Sequence, residues 1–249
     1  MNFYIGLHQP ADSRHFDRCF VCINRIRERR SSFPAREWIM DSGAFTEVST
    51  HGEYREAPEI YAAHVNRWYA QSGGAMVAAV SQDYMCEPFI LARTGLTVAE
   101  HQRLTIERYD RIRAVVTDAY VMPVLQGYTP AEYVDHLNQY GDRLTPGMWV
   151  GVGSVCKRNG NPRAIEAVLL AIHSVRPDLR LHGFGLKKTA LSSGVVWQLL
   201  HSADSMAWSY HARKQGRNAN DPREALAYLD RIRRQPLQFA LIMSQGRAA

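Results

Sequence analysis

The sequence is short of cysteine, of long apolar runs and of any overwhelming excess of one charge. Four cysteines in 249 residues exclude a disulfide-stapled scaffold. No apolar run approaches the ~20 residues that a membrane-spanning helix requires. The opening MNFYIGLHQP lacks a basic stretch followed by an apolar one, so no secretory leader is read. A soluble, cytoplasmic protein without a membrane partner is expected. Repeats, low-complexity tracts and linkers are also missing. Lys plus Arg number 30 against 24 Asp plus Glu, for a formal net charge of +6. That excess suits a polyanionic partner without requiring one. What the chain does have is 46% hydrophobic residues, enough for a large buried core.

Cys19 and Cys22 form one Cys-x-x-Cys pair, and no second pair follows. A structural zinc site takes four ligands, so the pair reads as buried, reduced thiols and no metal is expected.

Short apolar runs alternate with amphipathic stretches. Strands are predicted at Phe3–Leu7, Cys19–Ile23, Trp38–Asp41, Met76–Ser81, Tyr120–Leu125, Met148–Gly153, Leu179–Gly185 and Asp204–Trp208. Runs such as MVAAV and VMPVL are apolar throughout, as in strands covered on both faces of a parallel sheet. Helices are predicted at Pro58–Ser72, Thr97–Val116, Thr129–Tyr140, Pro162–Val175 and Ser192–Leu200. A last one runs at about 222–244, broken or kinked by Pro236. Thr97-x-x-Glu100 and Thr129-Pro130-x-Glu132 are capping boxes. Eight strands alternating with helices over about 250 residues indicate an α/β fold, a single (β/α)8 barrel of the TIM type over residues 1–249. A doubly wound open sheet is the alternative. No Gly-x-Gly-x-x-Gly follows the first strand, which argues against a dinucleotide-binding version.

Catalytic groups of a barrel sit at the C-terminal ends of its strands. Here those ends carry Asp41-Ser42-Gly43-Ala44-Phe45, Ser81-Gln82-Asp83, Gln126-Gly127, Gly153-Ser154 and His182-Gly183, with Asp204 opening the eighth strand. Each residue alone has an ordinary reading as a turn, core or strand-end residue. Convergence is harder to dismiss, because clustered acids raise one another's pKa and are costly to keep together.

Six segments in order resemble the tRNA-guanine transglycosylase superfamily, and most closely its DNA-modifying branch, the deazapurine DNA modification proteins. They are DSGAFTE at 41–47, QDYMCEPFILARTGL at 82–96, PVLQGYTPAEYV at 123–134, VGVGSVCKR at 150–158, RLHGFGLK at 180–187 and ADSMAWSYHAR at 203–213. The resemblance implies a barrel enzyme that exchanges guanine in DNA for a free 7-deazaguanine base, such as 7-cyano-7-deazaguanine, through a covalent aspartyl-glycosyl intermediate. It implies Asp204 as nucleophile and Asp41 as general acid/base. It implies Phe45 stacking on the purine, Asp83 and Gln126 reading its hydrogen-bonding edge, Gly127 beside them, Gly153 and Ser154 facing the base, and His182 with Gly183 on the pocket wall. Asp41-Ser42-Gly43-Ala44 departs from the family's Asp-Ser-Gly-Gly. Zinc-containing relatives carry a Cys-x-Cys-x-x-Cys…His cluster after the last strand, whereas no cysteine follows Cys156 here.

Lys157, Arg158 and Arg163, then Lys187 and Lys188, then Arg213, Lys214 and Arg217 all follow strand ends. They are expected to ring the mouth and contact phosphates. Arg25–Arg30 reads as exposed surface without a site role. DNA is thus the expected partner, with an accessory protein or a homodimer left open. The same exchange on tRNA is one alternative. A non-catalytic barrel that binds nucleic acid or a partner subunit is another, and Asp41 with Asp204 argues against it.

Overall fold

The computed structural model describes residues 1–235. Its strands are β1 (Asn2–Gly6), β2 (Arg18–Cys22), β3 (Glu37–Asp41), β4 (Met76–Val80), β5 (Val121–Met122), β6 (Val124–Leu125), β7 (Trp149–Val152), β8 (Arg180–Gly183) and β9 (Leu200–Ser205). All pairings are parallel, in the order β5-β4-β3-β2-β1-β9-β8-β7-β6. β5 and β6 are the two halves of one strand around Pro123, which has no N–H to donate. The carbonyl of Met122 accepts from Ser81 N–H on the β4 side at 2.9 Å. That of Pro123 accepts from Gly151 N–H on β7 at 2.8 Å. The proline is therefore tolerated where its carbonyl alone is used, and the ring of strands closes there. The eight expected strands become nine segments for this reason only.

Inside the ring, Tyr4, Phe20, Ile39, Ala78, Val80, Met122, Val124 and Trp149 form one buried cluster. Gly151 leaves room for Phe184, whose ring atoms would lie 2.4 Å from a Cβ placed there. A larger cluster lies between strands and helices and includes Trp38, Trp68, Tyr61 and Ile172. The outer helices follow the predicted periodicity. The one at Pro162–Val175 has the expected bounds, and those at Pro58–Gln71, Val98–Val115 and Pro130–Tyr140 differ from expectation by one residue at one or both ends. Both capping boxes form, Thr97 with Glu100 and Thr129 with Glu132.

Two expectations are corrected. The eighth predicted strand begins four residues earlier and ends at Ser205, so Asp204 stands next to its C-terminal end rather than at its start. Pairing decides this: Asn2 to Ile5 of β1 register against Ser202 to Ser205. Trp208 belongs to the next helix, Ala207–Lys214, and its indole N–H donates to the Gly6 carbonyl at 2.8 Å. Arg25–Arg30 is not wholly exposed, because Ile26 is fully buried and Arg27 pairs with Glu56 at 2.5 Å. The last helix is Pro222–Arg233. Its expected continuation to 244, with Pro236, lies outside the described residues. Among the described residues no helix is long and apolar enough to cross a membrane.

The Thr97 hydroxyl accepts from Glu100 N–H at 3.2 Å, and Glu100 returns to Thr97 N–H at 2.7 Å. Thr97→Ala should lower the unfolding free energy by about 1 kcal/mol in urea melts.

Candidate active site

Barrel closure brings the strand C-termini to one mouth, where a cavity of about 390 Å³ opens. Asp41, Asp83, Glu87 and Asp204 all line it, and among the described residues no lysine or arginine does. Asp41 is the last residue of β3. Gly43 then takes a left-handed conformation (φ 74°), which turns the chain into the helix Ala44–His51. Burial pushes the Asp41 carboxyl up to about 6. Asp204 nearby adds to the rise, while the Cys22 thiol and the backbone N–H groups of Gly43 and Ser42 oppose it.

Asp83 lies three residues past β4, in the wholly buried stretch 81–87. That stretch is non-regular, so side chains from neighbouring elements satisfy its backbone. The Tyr54 hydroxyl both donates to the Asp83 carbonyl and accepts from its N–H, each at 2.9 Å. Thr105 Oγ1 accepts from Tyr84 N–H at 2.9 Å, and His101 bonds the Met85 carbonyl at 2.7 Å. Burial pushes the Asp83 carboxyl up to about 7; Gln126 opposes this and the charges of Asp41 and Glu87 add to it.

Gln126 follows β6 directly and is fully buried. Its Nε2 donates to Asp83 Oδ2, and its Oε1 accepts from the Ser154 hydroxyl at 2.7 Å. These two bonds fix the amide's orientation. Gly153 is required beside it, since a Cβ there would fall 2.1 Å from Gln126 Nε2. The Ser154 oxygen accepts from Cys86 N–H at 2.8 Å and lies 2.9 Å from Glu87 Oε2. One hydroxyl proton faces two acceptors, Gln126 and Glu87, so it serves one at a time.

Asp204 is held by the Gly185 N–H at 3.0 Å and by His182 Nε2 at 3.3 Å, both on Oδ1. Its Oδ2 takes no hydrogen bond among the described residues. A carboxylate accepts only, which puts the His182 proton on Nε2. His182 Nδ1 then accepts from the Ser202 hydroxyl at 2.8 Å, and Ser202 in turn accepts from the Trp149 indole N–H at 2.8 Å. The chain of donors runs in one direction through the barrel interior and ends on Asp204.

Of the sequence-predicted residues, Asp41, Phe45, Asp83, Gln126, Gly153, Ser154 and Asp204 line the cavity together. His182, Gly183 and Gly127 do not. His182 is fully buried beneath the cavity floor, stacked on Phe20 with ring centroids 5.7 Å apart. Gly183 makes room for Leu186, and Gly127 for Glu132 and Tyr133. Glu87, Met85, Cys156 and Phe184 line the cavity without having been singled out. Glu87 was readable only as the residue before Pro88, a helix-start signal rather than a chemical one.

Lys157, Arg163, Lys187, Lys188, Arg213 and Lys214 are exposed in the segments after β7, β8 and β9. Arg158 is half-buried, packed on Tyr128 and donating to the Tyr128 carbonyl. Arg217 pairs with Glu224. These two arginines are thus partly committed within the protein. Among the described residues no three His, Cys, Asp or Glu side chains are grouped to hold a metal ion.

Asp41 and Asp83 hold protons in the folded state that the unfolded chain releases, because both folded pKa values are raised. Their contribution to stability is therefore complete at acid pH and is lost as pH rises through about 6 to 7. Asp83→Asn, a neutral near-isostere, should gain in melting temperature relative to the wild type as the pH is raised from about 5 to about 8. A difference that stays constant with pH would contradict the assignment.

Among curated proteins none matches the chain. The family model DpdA, DeoxyPurine in DNA protein A, matches residues 1–226, which take in every strand and every carboxylate of the cavity. The chain belongs to the DpdA family of deoxypurine in DNA proteins.

Proposed function

We propose that this protein exchanges guanine in DNA for a 7-deazaguanine base by double displacement at the glycosidic carbon. The arrangement of acids around the cavity carries the reading. Asp83, Gln126 and Ser154 come from the adjacent segments after β4, β6 and β7 and form one edge-reading group. Asp41 on β3 and Asp204 on β9 flank it on either side. A purine held by its polar edge would then have an acid on one flank and a carboxylate on the other.

Asp204 Oδ2 is the free oxygen, with Oδ1 anchored by Gly185 and His182. It attacks C1′, the C1′–N9 bond breaks, and its electron pair leaves with guanine. Guanine takes a proton from Asp41, whose pKa of about 6 lets it hold one near neutrality. The incoming deazaguanine returns a proton to Asp41 and attacks C1′, and the Asp204 ester bond breaks. Protons balance over the cycle and configuration is retained. Asp83 and Gln126 supply acceptor and donor positions for the N–H and carbonyl edge of the base. We infer no resident metal, since the chemistry asks only for an acid and a nucleophile. A non-catalytic barrel would need neither an uncommitted Oδ2 nor a raised Asp41.

Labelled guanine is the test, offered with DNA or with tRNA. Label should enter DNA, and a strong preference for tRNA would overturn the substrate. Asp204→Asn should abolish exchange and the covalent protein–DNA adduct without loss of fold. Asp41→Asn should slow exchange about 10²–10⁴-fold, the scale of general acid catalysis. Normal turnover in either variant removes that residue from its role.

A further inference from the structure

The exposed large side chains are sorted by type. Among the described residues, Phe45, Phe89, Tyr128 and Tyr210 are the aromatics left between 44% and 52% exposed. All four lie in segments that follow strand C-termini: Phe45 after β3, Phe89 after β4, Tyr128 after β6 and Tyr210 after β9. The exposed aliphatics Ile60, Val115, Leu170, Val175 and Leu226 sit instead on the outer helices. Among the described residues the exposed aromatics are thus gathered at one end of the barrel.

Each ring also has a cation over it. Lys157 Nζ lies 5.0 Å from the Phe45 centroid and 5.5 Å from that of Phe89, and the two rings are 6.4 Å apart. The Arg158 guanidinium is 4.4 Å from Tyr128. Lys214 and Lys187 lie 5.1 Å and 5.8 Å from Tyr210. No ion pair with a carboxylate engages Lys157, Lys187, Lys188 or Lys214 among the described residues. Beside Tyr210 a second cleft of about 360 Å³ is lined by Lys187, Lys188, His211 and Arg231. Exposed aromatic rings near lysines that form no ion pair among the described residues match the two needs of an unpaired nucleic-acid strand, stacking for its bases and charge for its phosphates.

We propose that Phe89, Tyr128 and Tyr210 are stacking platforms for the unpaired bases that flank the target nucleotide, with Lys157, Lys187, Lys188 and Lys214 on the phosphates between them. The partner is single-stranded or locally opened DNA, its target base in the cavity and its neighbours spread over the rim. This rests on the reading that the substrate is DNA. It adds how the strand is held and why duplex is the poorer ligand, since extruding a paired base costs a few kcal/mol.

The test is anisotropy of a labelled single-stranded oligonucleotide and of its duplex, over a salt series. Phe89→Ala, Tyr128→Ala and Tyr210→Ala should each weaken single-strand binding by about 5- to 100-fold, the range of one lost base stack. They should leave the log–log salt slope unchanged, because no phosphate contact is lost. Lys187→Ala with Lys188→Ala should instead flatten that slope by about 1.4. Tyr128 also supports Arg158, so Tyr128→Leu, which keeps apolar bulk without a π face, checks for simple misfolding. It should bind as weakly as Tyr128→Ala. Single-strand affinity within twofold of wild type in all three aromatic variants would overturn the proposal, as would equal losses on single strand and duplex. The two readings fail separately. A wild type that exchanges guanine in DNA but ignores its rim aromatics refutes the platforms alone. One that needs them for binding yet exchanges no base refutes the exchange alone.

Discussion

Four carboxyl groups share one cavity that contains no cation, and much of the surrounding structure answers to that constraint. Removing like charges from water together is costly, and the cost falls if some hold protons or each has its own donor. Both occur. Asp41 and Asp83 are raised to about 6 and about 7. Three of the carboxyls also have hydrogen-bond donors of their own, backbone N–H groups at Asp41, the Gln126 amide at Asp83, and Gly185 with His182 at Asp204, while Glu87 shares the Ser154 hydroxyl with Gln126. Neutral donors satisfy the oxygens without cancelling the field. A lysine in the same place would neutralise it.

Those donors need rigid supports, because the strand ends that carry them are irregular. The backbone of Gln126 gives its N–H to His136 Nδ1 at 2.8 Å, and its carbonyl accepts from Gln102 Nε2 at 2.8 Å. Burial lowers His136 to about 3, so it stays neutral and keeps a lone pair for that bond. The Tyr133 hydroxyl caps the Gly153 carbonyl at 2.6 Å. These side chains come from the helices Val98–Val115 and Pro130–Tyr140, the two with capping boxes. Local helix signals near the surface thus bear on the position of an amide in the cavity.

The barrel was legible in the sequence because its signals are long: apolar runs for covered strands, and periodic stretches of 11 to 18 residues for the outer helices. What escaped was short. The mouth helices Ala44–His51, Pro88–Thr94, Lys188–Leu191 and Ala207–Lys214 span too few turns to show a period. The strand holding Asp204 was misplaced because LHSADS lacks the unbroken apolar run of its neighbours. Ser202 and Asp204 are polar because one holds the interior chain of hydrogen bonds and the other lines the cavity. Seven predicted site residues do converge on the cavity. The resemblance implied a wall position for His182, whereas its ordinary reading was a core residue; packing against Phe20 and Trp149 sets it below Asp204. Glu87 gave only a helix-start signal and no chemical one, since its place in the cavity depends on a contact with Ser154, 67 residues away in sequence.

The net charge of +6 conceals a separation that matters more than its size. Acids are gathered in the cavity and uncommitted lysines stand on the rim. Lysines on the rim attract an anion, and carboxylates in the cavity repel one. A purine is neutral and carries N–H donors on its polar edge, so under the proposed function the same cavity would take the base and not the backbone. Under the proposed reaction only a nucleotide whose base has left the stack satisfies both regions at once. Its sugar would then lie at the boundary between them, within reach of Asp204 Oδ2, which takes no hydrogen bond among the described residues.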